Sequence, residues 1–133
     1  MIRLAIAEDH QSLIDGIKLL LEYEENISII GTANDGEALL DIVRLKQPNV
    51  VITDIRMPKM DGITATKTIK KEFPKTKVLA FTMFEQTEAV EQMLDAGANG
   101  YILKNSSLKD VLTAVKTVYN GDNYFDANIN TNI

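Results

Sequence analysis

Val50-Val51-Ile52-Thr53-Asp54-Ile55-Arg56-Met57-Pro58-Lys59-Met60-Asp61-Gly62 holds the key to the chain's architecture. Val50 to Thr53 are β-favouring residues with no polar alternation, which predicts a strand covered on both faces, as parallel strands are. Asp54 ends that run with a carboxylate. Met57-Pro58 stiffens the connection that follows. Asp61-Gly62 then reads as an N-cap opening a helix, whose apolar stripe begins with Ile63, Thr66 and Ile69. One strand, one acid-bearing loop and one helix make a single βα unit.

The same unit recurs on both sides. Short β-rich runs lie at Leu4–Ala7, Ile27–Thr32, Val78–Thr82 and Tyr101–Leu103. Between them run stripes of helical period: Leu13, Ile17, Leu20 and Leu21, then Leu39, Ile42 and Val43. Further on come Ala89, Val90, Met93 and Leu94, and finally Leu108, Val111, Leu112, Val115 and Tyr119. Asp35 precedes Gly36 as a second N-cap, and Ser107 with Asp110 resembles a capping box with a shortened acid. Gly97, Gly100 and Gly121 sit where helices are expected to end, and Pro48 and Pro74 fall in connections. Strict alternation of this kind predicts an α/β fold: a flavodoxin-like (βα)5 doubly wound parallel sheet with strand order 2-1-3-4-5. Residues 1–121 form this domain. Residues 122–133, DNYFDANINTNI, lack apolar period and read as a linker or tail.

With 133 residues, 45% hydrophobic and 25% charged, the chain has the size and composition of one globular domain. No apolar run reaches the ~18 residues of a membrane span. The apolar start at Ile2 is broken too soon, by Glu8-Asp9, for a signal peptide. Cysteine is absent, which excludes disulfides and thiolate metal sites. A cytoplasmic location is the expectation. Fourteen basic against nineteen acidic residues leave a net charge of −5, without the basic footprint that neutralising nucleic-acid phosphates requires. Any DNA contact is expected from a part of the protein outside these residues.

In the predicted topology strands 1 and 3 are neighbours, and ligands bind at their carboxyl ends. Strand 1 runs into Glu8-Asp9 and strand 3 into Asp54, so three carboxylates converge. Their mutual repulsion invites a hard divalent cation, and oxygen donors around an open site suit Mg²⁺. Strand 4 ends at Thr82, a hydroxyl, and strand 5 at Lys104, an ammonium. A carboxylate nucleophile, a cation site and donors for oxyanions together suit phosphoryl transfer.

These residues carry a family resemblance over Ile2 to Asn120. AEDH at 7–10, TDIRMPKMDG at 53–62, AFT at 80–82 and GANGYILK at 97–104 resemble, in this order and spacing, the receiver domains of two-component response regulators. The resemblance implies that Asp54 is the phosphoacceptor. It implies that Asp9, Asp54 and the backbone carbonyl of Arg56 bind Mg²⁺, with Glu8 holding the metal through water. It implies that Thr82 and Lys104 contact phosphoryl oxygens and that Tyr101 turns inward with Thr82 on activation.

The pattern is most similar to the LuxR/NarL type, which has an acid-Asp-His opening and a non-proline residue, here Asn105, after the lysine. That implies a sensor histidine kinase as phosphodonor and output to transcription through a helix-turn-helix domain absent from this chain. A homodimer is implied through helices 1 and 5, or through helix 4, strand 5 and helix 5. A stand-alone receiver or pseudo-receiver acting by protein–protein contact is the alternative. The domain is expected to catalyse only its own phosphorylation and dephosphorylation. Asn105 in place of the common proline predicts a trans Lys104–Asn105 peptide. Met83, bulky where receivers are often small, predicts slowed access to Asp54.

Plainer assignments exist for each residue: Asp54 as a strand-end acid, Glu8 and Asp9 as caps of the first helix, Thr82 as strand filler, Lys104 as a solvated charge. His10, the single histidine, reads as a loop residue without a catalytic role. Two other chemistries fit less well. An aspartyl-phosphate phosphatase needs a second acid two residues after its nucleophile, where this chain has Arg56. A flavin carrier needs a phosphate-cradling loop after strand 1, where this chain has Glu8-Asp9-His10-Gln11.

Overall fold

The computed structural model describes residues 1–83, 87–104 and 106–125. Five βα units follow in order. β1 (Ile2–Ala7) leads to α1 (Gln11–Leu21), β2 (Ile27–Ala33) to α2 (Gly36–Lys46), and β3 (Val50–Thr53) to α3 (Gly62–Glu72). β4 (Lys77–Thr82) leads to α4 (Thr87–Ala96) and β5 (Gly100–Leu103) to α5 (Leu108–Tyr119), after which comes a short β6 (Tyr124–Phe125). All pairs are parallel and the sheet order is β2-β1-β3-β4-β5-β6. The expected order holds for the first five strands.

Alternation along β1 sorts the core. Leu4 and Ile6 face α1 and α5, packing with Ile14, Ile52, Ile102 and Val115. Ala5 and Ala7 face the other way, with Leu39, Val43, Ala65 and Ile69 of α2 and α3. A smaller cluster of Ile55, Ala80, Met93, Tyr101 and Leu103 fills the space under α4. Burial of each large aliphatic side chain contributes roughly 1.5–3 kcal/mol before chain entropy is counted.

Capping follows the sequence. Asp35 accepts from Ala38 N, Asp61 from Thr64 N and Ser107 from Asp110 N. Gly97 and Gly121 terminate helices at φ +103 and +100, the left-handed region glycine favours. At the opposite end of the sheet from the acids, two asparagines tie neighbouring strands. Asn49 Oδ1 accepts from Arg3 N at 2.8 Å, and Asn99 Oδ1 accepts from Val78 N at 3.0 Å and from Lys70 Nζ at 3.2 Å.

Beyond one-residue shifts at the end of β2 and the start of β4, the structure departs from the sequence expectation in three places. β1 begins at Ile2 rather than Leu4, because Arg3 stands in the ladder while its guanidinium donates to the Lys46 and Gln47 carbonyls at the end of α2. Gly100 does not end a helix; it opens β5. And Tyr124–Phe125, expected in a linker, form β6. The chain reverses at Gly121, Tyr124 N donates to Asn99 O at 3.1 Å, and Gly100 leaves room for Tyr124, whose carbonyl would lie 2.5 Å from a Cβ there. The Lys104–Asn105 peptide and residues 126–133 lie outside the described residues.

Candidate functional site

Ladder bonds bring the acids together. Asp54 N donates to Ala7 O at 3.0 Å, continuing the β1–β3 pairing one step past the strands. Glu8 N donates to Ala33 O at 2.9 Å. Both carboxylate-bearing residues therefore leave the sheet at one level. The Gly62 N–H bonds to Ile55 O at 2.6 Å, and a Cβ on Gly62 would collide with the Asp54 carbonyl oxygen. The helix that Gly62 opens thus packs directly on the acid's own backbone.

Asp54 Oδ1 accepts from Ile55 N at 2.7 Å. Its Oδ2 lies 3.0 Å from Lys104 Nζ, which also stands 2.5 Å from Glu8 Oε1. The side chains of Glu8, Asp54 and Lys104 are 2%, 7% and 9% exposed, so this ion triad is buried. Glu8 Oε2 accepts from His10 N at 3.1 Å, and His10 Nδ1 lies 3.1 Å from Glu8 Oε2 and 3.2 Å from Asp9 Oδ1. Asp9 and His10 open to solvent. Asp9, His10, Asp54, Arg56, Met83 and Lys104 line a cavity of about 200 Å³.

Electrostatics follow from burial and charge. Burial pushes the Glu8 carboxyl up, Asp9 and Asp54 add to the rise, and Lys104 works against it. Burial pulls the Lys104 ammonium down, but Glu8 and Asp54 outweigh it and hold the group above its ordinary value. Burial, then Asp54, raise the Tyr101 phenol. Two carboxylates thus surround one lysine, with Asp9 at the mouth.

The donors suit a hard cation. They are carboxylate oxygens, and buried Glu8 Oε1 accepts no well-angled hydrogen bond among the described residues despite its closeness to Lys104. Carboxylate oxygens of Glu8 and Asp9 and an imidazole nitrogen of His10 lie within 4.8 Å of one another. Oxygen-rich, partly open sites of this kind suit Mg²⁺.

Of the residues singled out in the sequence, the structure brings Glu8, Asp9, Asp54, Arg56 and Lys104 to one pocket. Thr82 ends β4 in register with Leu103, one residue before Lys104, and its side chain is outside those described. Tyr101 is 1% exposed and stands inside, packed in the cluster under α4. His10 holds a larger place than the sequence suggested: it is the residue before α1, bridging Glu8 and Asp9. Asp9 does not cap α1. The signal for His10 was its position directly after two acids.

Comparison with known proteins agrees with the geometry. Residues 4–116 match the family model described as the response regulator receiver domain. The chain is 39% identical over 132 residues to the oxygen regulatory protein NreC of Staphylococcus epidermidis, covering 98% of this chain and 61% of that protein. It thus spans about three-fifths of the length of that curated relative. Among solved structures, the isolated REC domain of RcsB from Salmonella enterica serovar Typhimurium, in the presence of phosphomimetic BeF3−, superposes with TM-score 0.88 at 29% identity. The match covers 96% of this chain and 95% of that one. A two-component response regulator of the LuxR family from Aurantimonas sp. SI85-9A1 gives TM-score 0.92 at 25% identity, covering 97% and 92%.

Proposed function

This chain belongs to the response regulator receiver family, and from that premise we propose that Asp54 accepts a phosphoryl group from a sensor histidine kinase. The observation that carries the proposal is the buried triad: Asp54 Oδ2 lies 3.0 Å from a lysine that also neutralises Glu8. Asp9, Asp54 and the Arg56 carbonyl would hold Mg²⁺, with Glu8 acting through water. When bound, Mg²⁺ neutralises charge on the transferring phosphoryl oxygens.

An Asp54 carboxylate oxygen attacks phosphorus in line, a P–O bond forms, and the P–N bond to the kinase histidine breaks. Ile55 N–H holds Oδ1 and orients the carboxylate. Lys104, freed from Asp54 Oδ2 once that group becomes an acyl phosphate, holds a phosphoryl oxygen, as does the Thr82 hydroxyl. Later attack by water breaks the acyl phosphate and returns the carboxylate. Tyr101, buried beside this site, is the switch residue that carries the change to the α4–β5–α5 surface. The role is that of a switch whose only chemistry is on itself.

Phosphorylation shifts dimerisation or docking of an output domain, and output to transcription goes through a helix-turn-helix domain outside this chain. Of the two dimer faces, α1–α5 is favoured, because β6 covers the β5 edge. Among the described residues no helix is long and apolar enough to cross a membrane, and a cytoplasmic site of action fits a kinase donor. Incubation with acetyl phosphate and Mg²⁺, followed by intact mass, is the test. The expected result is one added phosphoryl group that is lost in Asp54→Asn and without Mg²⁺. An unmodified wild-type chain, or equal labelling of Asp54→Asn, defeats the proposal.

A further inference from the structure

The turn between β2 and α2, Asn34-Asp35-Gly36, contributes no residue to the lining of the acid pocket, yet it bonds to both loops that do. On one side Asn34 Nδ2 donates to the main-chain carbonyl of Glu8 at 3.1 Å. The N–H of Glu8 already bonds to Ala33 O at 2.9 Å. Both main-chain polar groups of Glu8 are therefore held by the end of β2 and its turn. That sets the direction in which the chain leaves β1 into Asp9.

On the other side the Gly36 N–H, one of the first-turn donors that α2 cannot satisfy internally, donates to Met60 O at 2.9 Å. A Cβ at Gly36 would stand 2.5 Å from that oxygen and 2.9 Å from Met60 Cβ, so the approach requires glycine. Lys59, at φ +66, brings its ammonium within 3.9 Å of Asp35 Oδ2. Asp35 Oδ1 meanwhile caps α2 through Ala38 N at 2.8 Å. The loop carrying Arg56 is thus anchored to the N-terminus of α2.

We infer that Asn34 and Gly36 are positioning residues that set the spacing between the Asp9 loop and the Arg56 loop, and through it the affinity of the pocket for Mg²⁺. The inference rests on the reading of the pocket as a phosphoacceptor site. Mg²⁺ demands near-ideal octahedral geometry with bonds of about 2.0–2.1 Å. Two loops that drift independently cannot present that geometry without a cost in affinity. One turn tied to both removes the drift.

The test is calorimetric titration of Mg²⁺ alone into the EDTA-stripped full chain, with melting followed in parallel. Asn34→Ala is expected to raise the Mg²⁺ Kd roughly tenfold, the lower end of what removal of ligand-orienting groups typically costs. Its phosphorylation rate at saturating Mg²⁺ is expected to stay near that of wild type. Gly36→Ala presses on the second loop and weakens binding as well; it decides the matter if Asn34→Ala does not fold. Asn99→Ala is the control. It removes a side-chain anchor at the far end of the sheet, and is expected to lower the melting temperature while leaving the Kd unchanged. A folded Asn34→Ala chain with wild-type affinity overturns the inference, as does equal weakening in Asn99→Ala. A wild-type chain that takes up no Mg²⁺ defeats the reading of the pocket, and this inference with it.

Discussion

Glu8 is 1% exposed, and a carboxylate taken that far out of water needs a partner. Lys104 is that partner. Lys104→Met leaves a buried carboxylate uncompensated and should cost about 3–5 kcal/mol at neutral pH in metal-free buffer, read by urea denaturation. The sign of the pH dependence follows from Glu8. Its folded pKa is raised, so the fold favours the protonated form. The stability linked to that proton is complete below the ordinary value of 4.5 and is lost as pH rises through the folded value. The deficit of Lys104→Met relative to wild type should therefore shrink as pH falls toward that range. An equal deficit at both ends of the window would place its cause in lost packing. Met83 acts at the mouth of the same cavity, 74% exposed. Met83→Ala should admit water more readily and shorten the lifetime of the acyl phosphate, followed by mass after donor removal. An unchanged lifetime would leave Met83 without a gating role.

At the scale of the elements, local signals were the ones the sequence could show. β3 was read to its last residue because Val50 to Thr53 are an unbroken β-favouring run and Asp54 follows at once; all four are buried. The three N-caps were legible for the same reason: each acts within three residues of itself. What escaped notice depends on partners far along the chain. Asn99 looks like any loop asparagine, yet its Oδ1 accepts from Val78 N and Lys70 Nζ, 21 and 29 residues away. Asn34 escaped likewise, since its partner Glu8 is 26 residues off. Asn99→Ala leaves the Val78 N–H without its acceptor, while Lys70 Nζ keeps the Pro74 and Thr76 carbonyls; it should cost about 1–3 kcal/mol, measured as a shift of the urea midpoint at constant slope. A loss well below that range would mean water replaces the amide.

For the whole molecule, a sheet with α1 and α5 on one face and three helices on the other places the acids of the site, Glu8, Asp9 and Asp54, at one rim. The convergence of strand ends 1, 3 and 5 was legible because alternation of strand and helix predicts a doubly wound sheet, whose common order makes strands 1 and 3 neighbours. β6 was not legible. Two residues are too few to show a period, and Tyr124 and Phe125 pack with different clusters. Ending the chain at Gly121 should cost about 2 kcal/mol, since the burial contributed by two half-buried aromatic rings is lost, and should raise amide exchange along β5. Unchanged protection in β5 would show that β6 rests on the sheet without stiffening it.

Because β6 runs parallel to its neighbour, the polypeptide at Phe125 is travelling toward the same rim that carries Lys104, not away from it. An antiparallel strand would have sent it to the rim where Asn49 and Asn99 stitch the strands. Two backbone rungs, Gly100 with Tyr124 and Tyr101 with Phe125, are all that set this heading, so the chain leaves the sheet on the acid side by the pairing of a single dipeptide.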